Sequence, residues 1–172
     1  MKPLLFLLLA LYGSTVVGQV KSDWERENEE RLKQAEEQVV APPAYDKARL
    51  VELTLAAATD FRYFVDPATV SVGTDRIVRY VMLARSPSGA ENVSFEGLRC
   101  PGEYRILAVG RPDGSWAGRA SEWRPVPRDA RAAQNALSRR YFCPVRRAIR
   151  SPQEGVDALR SGGHPELVSK QY

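Results

Sequence analysis

The chain has 172 residues, of which 44% are hydrophobic and 27% charged, with a formal net charge of +4 at pH 7. This composition is ordinary for a globular protein and fits one domain of about 150 residues with a real core. Two cysteines and one distant histidine are too few for a closed zinc site, and no dinucleotide fingerprint, P-loop, zinc helix or calcium loop is present, so the sequence points to no metal and no cofactor.

Residues 1–18 read as a secretion signal. Lys2 gives the positive start, the run from Leu4 to Leu11 the apolar core, and residues 13–18 the small-residue exit. Val16 and Gly18 place the cut after Gly18. The apolar run is shorter than the roughly 20 residues a bilayer span needs, so no transmembrane segment is expected in the mature chain. With no cysteine near the cut, a lipid anchor is not expected either. The expected location is the periplasm or the outside of the cell.

Residues 19–43 form a charged arm and linker. Ser22 with Glu25 makes a capping box, but only Trp24, Leu32, Ala35 and Val39 offer an apolar stripe, so a solvated helix is expected, with a docking arm as the alternative. Pro42 and Pro43 end it and open a domain expected over residues 44–160. In that domain, residues 50–55 alternate as a strand does, while Ala56, Ala57 and Ala58 suit a helix equally; the strand is the reading adopted here. Residues 61–65 are a clearer strand stopped by Asp66 and Pro67, residues 69–72 follow as another, and residues 73–75 turn the chain.

Residues 74–123 are the organising stretch. Residues 77–84 are rich in β-branched and aromatic side chains and read as a central strand covered on both faces. Arg79 interrupts this run and is expected near an edge or with its head in water. Pro87 and Gly89 mark a turn, residues 92–100 the return strand, and Gly97 a bulge or a close backbone approach. Residues 104–109 are a third strand, residues 110–114 a hairpin loop, and Trp116 opens a fourth strand. Val72-Gly73, Val78-Arg79-Tyr80, Ser88-Gly89-Ala90-Glu91-Asn92, Phe95-Glu96-Gly97-Leu98-Arg99-Cys100, and Gly110-Arg111 with Asp113-Gly114-Ser115-Trp116 together resemble the cryptic-neisserial-protein-like family of small secreted bacterial proteins. The resemblance implies an envelope location and a single domain, and it supplies no catalytic residue.

Beyond Trp123, two prolines break the sheet pattern. Asp129 is placed to cap a helix reaching Arg140 or Tyr141, with Ala133, Ala136, Leu137 and Tyr141 facing the sheet. Ser151 and Pro152 start a second helix, stopped by Gly162 and Gly163 after Arg160. Residues 161–172 are expected to form a loose tail with His164 exposed. In an exported chain the two cysteines are expected to pair, tying Cys100 on the sheet to Cys143 after the helix; free thiols or a metal site are the alternatives. The expected fold is a single α+β domain: a curved antiparallel sheet of five to seven strands, with the C-terminal helix on one face.

Function is less legible. His164 lies in a Gly-rich tail and no nucleophile elbow accompanies it, which argues against a hydrolytic triad. Glu96 stands mid-strand, either paired with Arg79 or Arg99 on the sheet surface or acting with Asp75 or Asp113 as a carboxylate pair on a glycan. Trp116 and Trp123 would then form a sugar platform, although core or rim roles are commoner for such rings. Charge is the stronger signal. Residues 21–52 carry nine acids and six bases, while residues 53–172 carry eighteen bases and twelve acids. Arg139, Arg140, Arg146, Arg147 and Arg150 crowd around Cys143, and the first four, with Arg99 and Trp116, are the candidate ligand-binding residues. Guanidinium forks suit phosphate, so an anionic envelope component or an envelope protein is the expected partner, not nucleic acid. A non-enzymatic envelope binding domain is therefore the first reading, and a glycan or cell-wall hydrolase the second.

Overall fold

The computed structural model describes residues 40–118 and 120–168. The segment read as a secretion signal and residues 19–39 of the charged arm and linker lie outside the described residues. The centre is three long antiparallel strands: β4 (Ile77–Arg85), β5 (Glu91–Arg99) and β6 (Glu103–Gly110). On the far side of β4 come β2 (Arg62–Val65) and the edge strand β1 (Val51–Glu52), while β3 (Ser71–Val72) pairs with the start of β4. The two ends of β6 are taken by β7 (Trp116–Ala117) and β8 (Arg124–Pro125). The result is an open sheet of eight strands in one α+β domain.

Because β4 is apolar on both sides, the sheet is covered on both sides. One face carries Val78, Tyr80, Met82 and Leu98 under the helices. These are α1 (Ala133–Ala136), which runs on as a π-helical stretch (Leu137–Phe142), and α2 (Pro152–Arg160). The opposite face carries Phe64, Val81, Leu83, Val93, Phe95 and Ala108, covered by Tyr45, Leu50 and Trp116. The helical stripe Ala133, Ala136, Leu137 and Tyr141 is buried, as its spacing requires. Ser151 caps α2 by accepting the Glu154 N–H at 3.2 Å, and Gly162 ends it with φ +68°. The Cys100–Cys143 disulfide joins the end of β5 to the end of the π-helical stretch, with 5.5 Å between the two Cα atoms.

Four expectations are corrected. The strand expected over residues 50–55 is laddered only briefly, because the Tyr141 hydroxyl accepts the Thr54 N–H at 2.8 Å and draws the backbone away from β2. Asp129 does not cap the helix: its carboxylate accepts the Arg131 N–H at 2.9 Å in a local turn, and α1 begins four residues on, at Ala133. Arg79 does not reach water; its side chain is 6% exposed and is held by Asp75. His164 is not exposed but 3% exposed, and its N–H donates to the Arg140 carbonyl at 2.8 Å. Its ring accepts the Glu166 N–H at Nδ1 and bonds Glu154 through Nε2 at 2.9 Å, which docks the short helix α3 (Pro165–Val168).

Gly97 is the close approach anticipated there. A Cβ at that position would stand 3.2 Å from Ile77 Cγ2 and 3.6 Å from the Trp123 ring. The bulge itself falls one step earlier and on β6. Phe95 faces Ala108 and Glu96 faces Ile106, so Leu107 is the extra residue. Between β7 and β8, Ser121 occupies the outer side of β6. Its N–H donates to the Ile106 carbonyl at 2.8 Å, and its hydroxyl accepts the Ile106 N–H at 3.0 Å.

Candidate functional site

Four pieces of chain meet beside the disulfide. They are the Pro101-Gly102 turn after β5, residues 126–128 after β8, the exposed side of the π-helical stretch, and the loop that follows Cys143. Hydrogen bonds fix the meeting. Val126 N–H donates to the Gly102 carbonyl at 2.8 Å, the Ser138 hydroxyl to the Pro101 carbonyl at 2.7 Å, and the Asn135 amide to the Pro127 carbonyl at 2.7 Å. Between these segments lies an open groove of about 360 Å³, with Leu167 of α3 on its border.

The loop after Cys143 is strained. Pro144 starts a single 3₁₀ turn, and Arg147 N–H and Ile149 N–H close back onto the Pro144 and Phe142 carbonyls at 3.0 Å each. To make that return, Val145 takes φ 45° and ψ 36°, and Arg146 takes φ 66°. A β-branched side chain in the left-handed region costs on the order of 1–3 kcal/mol, and such residues cluster at functional sites. The same loop leaves Val145 43% exposed at the groove.

The groove is cationic. Arg128, Arg139 and Arg146 line it, none of the three makes an ion pair among the described residues, and no carboxylate is on its lining. Of the four arginines named from the sequence as ligand-binding candidates around Cys143, Arg139 and Arg146 are thus brought together, while Arg140 bonds the Gly162 carbonyl and the exposed Arg147 is not on the groove lining. Arg128 was missed, because a charged residue after two prolines reads as linker; the Asn135 bond to Pro127 is what folds it back.

The other candidates scatter. Arg99 pairs with Glu103 at 2.9 Å and lies 4.1 Å over the Trp123 ring, on the face opposite the helices. Arg105 also lies over that ring, at 4.8 Å; burial first, then the positive charges of Arg79 and Arg99, push its guanidinium below the ordinary value. Trp116 meets Tyr45 and Phe95 edge-on, so the two tryptophans serve packing and not one shared platform. Asp113 accepts the N–H and the hydroxyl of Ser115 within the β6–β7 loop.

Glu96 and Asp75 sit on opposite faces of the sheet. Asp75 grips Arg79, whose neighbour Tyr80 points the other way, and the Tyr80 hydroxyl donates to Glu96 at 3.1 Å. Glu96 is 1% exposed and also accepts from Ser94 at 2.7 Å and Gln134 at 3.1 Å. It is therefore a core group and not a surface ion pair with Arg79 or Arg99. Burial pushes its carboxyl above the ordinary value of 4.5, against the Ser94, Gln134 and Tyr80 hydrogen bonds that work to lower it. With the folded value above the unfolded one, the folded state holds this proton more tightly. Its contribution to stability therefore falls as pH rises from about 4.5 through the raised folded value. In urea titrations at a series of pH values, Glu96→Gln is expected to gain on the wild type steadily across that window. A difference that does not vary with pH would reject the assignment.

Among the described residues no group of three or more histidine, cysteine, aspartate or glutamate side chains could hold a metal ion, and no helix is long and apolar enough to cross a membrane. No curated protein and no solved structure matches the chain. Residues 29–160, which include all eight strands, α1 and α2, match the CNP1-like family, and the chain belongs to that family.

Proposed function

We propose that this protein is exported and works as a non-enzymatic binding protein of the bacterial envelope, taking an anionic partner at the groove beside Cys143. The observation that carries this reading is the convergence of Arg128, Arg139 and Arg146 on one concave surface, with no ion pair and no lining carboxylate among the described residues. Guanidinium groups bind phosphate and carboxylate bidentately, and unpaired ones need not release a protein partner first. Export is supported by the signal pattern of residues 1–18 and by a disulfide, which belongs to oxidising compartments.

Flotation with vesicles tests it, using chain purified from the periplasm, whose intact mass is expected to start at Gln19. Each arginine near an anionic bilayer contributes about 1 kcal/mol. Arg128→Ser, Arg139→Ser and Arg146→Ser together should thus weaken binding to vesicles containing phosphatidylglycerol by about 100-fold at low salt. The gap should narrow as salt rises. Arg111→Ser, Arg124→Ser and Arg160→Ser together remove the same charge elsewhere. If this second triple loses as much binding, net charge and not the groove is responsible.

A further inference from the structure

The lining of the groove narrows the ligand class beyond "anionic". The inference rests on the binding reading above and specifies its ligand. Apart from the three arginines, Ser138 is the one polar side chain on the lining, and its hydroxyl is already given to the Pro101 carbonyl at 2.7 Å. Cys143 is in the disulfide. The rest of the lining side chains are apolar: Pro101, Val126, Pro127, Val145 and Leu167. So, among the lining side chains of the described residues, no free hydroxyl proton, amide or carboxylate waits for the polar rim of a sugar or a nucleobase. The guanidinium groups are the charged side chains there, and the other lining side chains offer hydrocarbon. The strained turn at Val145 points the same way, since it holds an apolar side chain out at the groove where relaxation would let it turn aside.

Size and charge then select one class. A volume of about 360 Å³ lies at the low end of small-ligand sites, matches a single short chain with its head group, and does not enclose a whole diacyl lipid or glycan polymer. We infer that the groove holds a single-chain anionic amphiphile, with one carboxylate or phosphate at Arg128, Arg139 and Arg146 and a short alkyl body against Val126, Val145 and Leu167. The alkyl chain supplies non-directional burial, and the guanidinium groups fix which end lies outward. A free fatty acid and a monoalkyl phosphate share this chemistry, and the experiment separates them.

Isothermal calorimetry on the mature protein uses four probes, each below its micelle-forming concentration: dodecanoate, dodecyl phosphate, dodecyl maltoside and inorganic phosphate. The expected result is one-to-one binding of dodecanoate or dodecyl phosphate, about ten-fold or more tighter than either the neutral amphiphile or the bare anion. The tighter of the two anionic probes identifies the head group. Arg139→Ser with Arg146→Ser should lower affinity for that probe about ten-fold or more and leave dodecyl maltoside unchanged. Val145→Gly removes the apolar wall while relieving the left-handed strain, so it should weaken the amphiphile several-fold without lowering the melting temperature. Equal binding of dodecyl maltoside, equal binding of inorganic phosphate, many ligands per chain, or indifference to both sets of substitutions would each overturn the inference. Arginine-dependent vesicle binding with no amphiphile bound would leave the binding reading standing and remove this one; failure of both assays would remove both, and bound amphiphile without vesicle binding would support both, with the free amphiphile and not a bilayer as the anionic partner.

Discussion

A chain carrying Cys100→Ser and Cys143→Ser together is expected to lose about 4 kcal/mol of folding stability, the value that chain-entropy arguments give for a crosslink of this span. The two cysteines are 43 residues apart in sequence, so the crosslink removes a large set of open conformations from the unfolded chain. Against the 5–15 kcal/mol typical of whole domains, that loss is a large fraction of the total. Both residues must change together, because a single substitution leaves a reactive thiol. Urea denaturation of the double variant beside the wild type reads the difference. A loss below about 1 kcal/mol would show that packing of Leu137, Tyr141 and Phe142 alone holds the helical layer on the sheet. The bond also has a local duty. Cys143 is the residue from which the strained loop departs, so ligand affinity of the groove should fall in the double variant even where the fold persists.

The second large effect is expected at Arg79. Its guanidinium and the Asp75 carboxylate form two parallel hydrogen bonds, at 3.2 Å and 2.6 Å, with side-chain exposures of only 6% and 3%. Asp75 also accepts the Ile77 N–H at 3.1 Å. Gly73 makes room for the pair, since a Cβ there would fall 2.2 Å from the Asp75 carboxylate and 2.6 Å from the guanidinium. Arg79→Met keeps the hydrocarbon stem but strands a buried negative charge, which costs about 3–5 kcal/mol. Adding Asp75→Asn removes that charge and still accepts the Ile77 N–H, so the double variant should recover a large part of the loss. If Arg79→Met costs less than about 1 kcal/mol, or if Asp75→Asn brings no recovery, the pair is hydrated and its burial has been misjudged.

The parts of the fold that were readable in the sequence are those whose causes are local. Strand β4 announces itself by β-branched and aromatic density, the turn before β5 by Pro87 and Gly89, and α2 by Ser151 and Pro152. The parts that were not readable depend on partners far along the chain. Residues 50–55 look like a long strand until Tyr141, 87 positions beyond Thr54, takes the backbone. Glu96 looks like a surface charge until Tyr80 beside it and Gln134 from the helical layer enclose it. Arg79 looks misplaced in an apolar strand because its partner Asp75 is brought back by a tight turn that has no periodic signature. His164 looks like a tail residue because Glu154 and the Arg140 carbonyl reach it from two separate elements. At the groove, Arg139 in the helical stretch and Arg146 after it were visible as a charge cluster. Arg128 and the exposed Val145 were not, since only the folded-back proline segment and the strained turn bring them to the same surface.

Ser121 has a further effect, on how copies of the chain treat one another. An open strand margin is a template: a second molecule can lay its own backbone along it, and the stack can grow. Here the outer margin of β6 is taken at both ends by β7 and β8, and the hydroxyl and N–H of Ser121 use up the Ile106 backbone between them. The opposite margin, β1, is two residues long and carries the Glu52–Arg62 ion pair. Among the described residues neither side offers a run of free amides long enough to seed a fibril. Growth of aggregates strand by strand through the sheet is therefore the last failure to expect of this molecule.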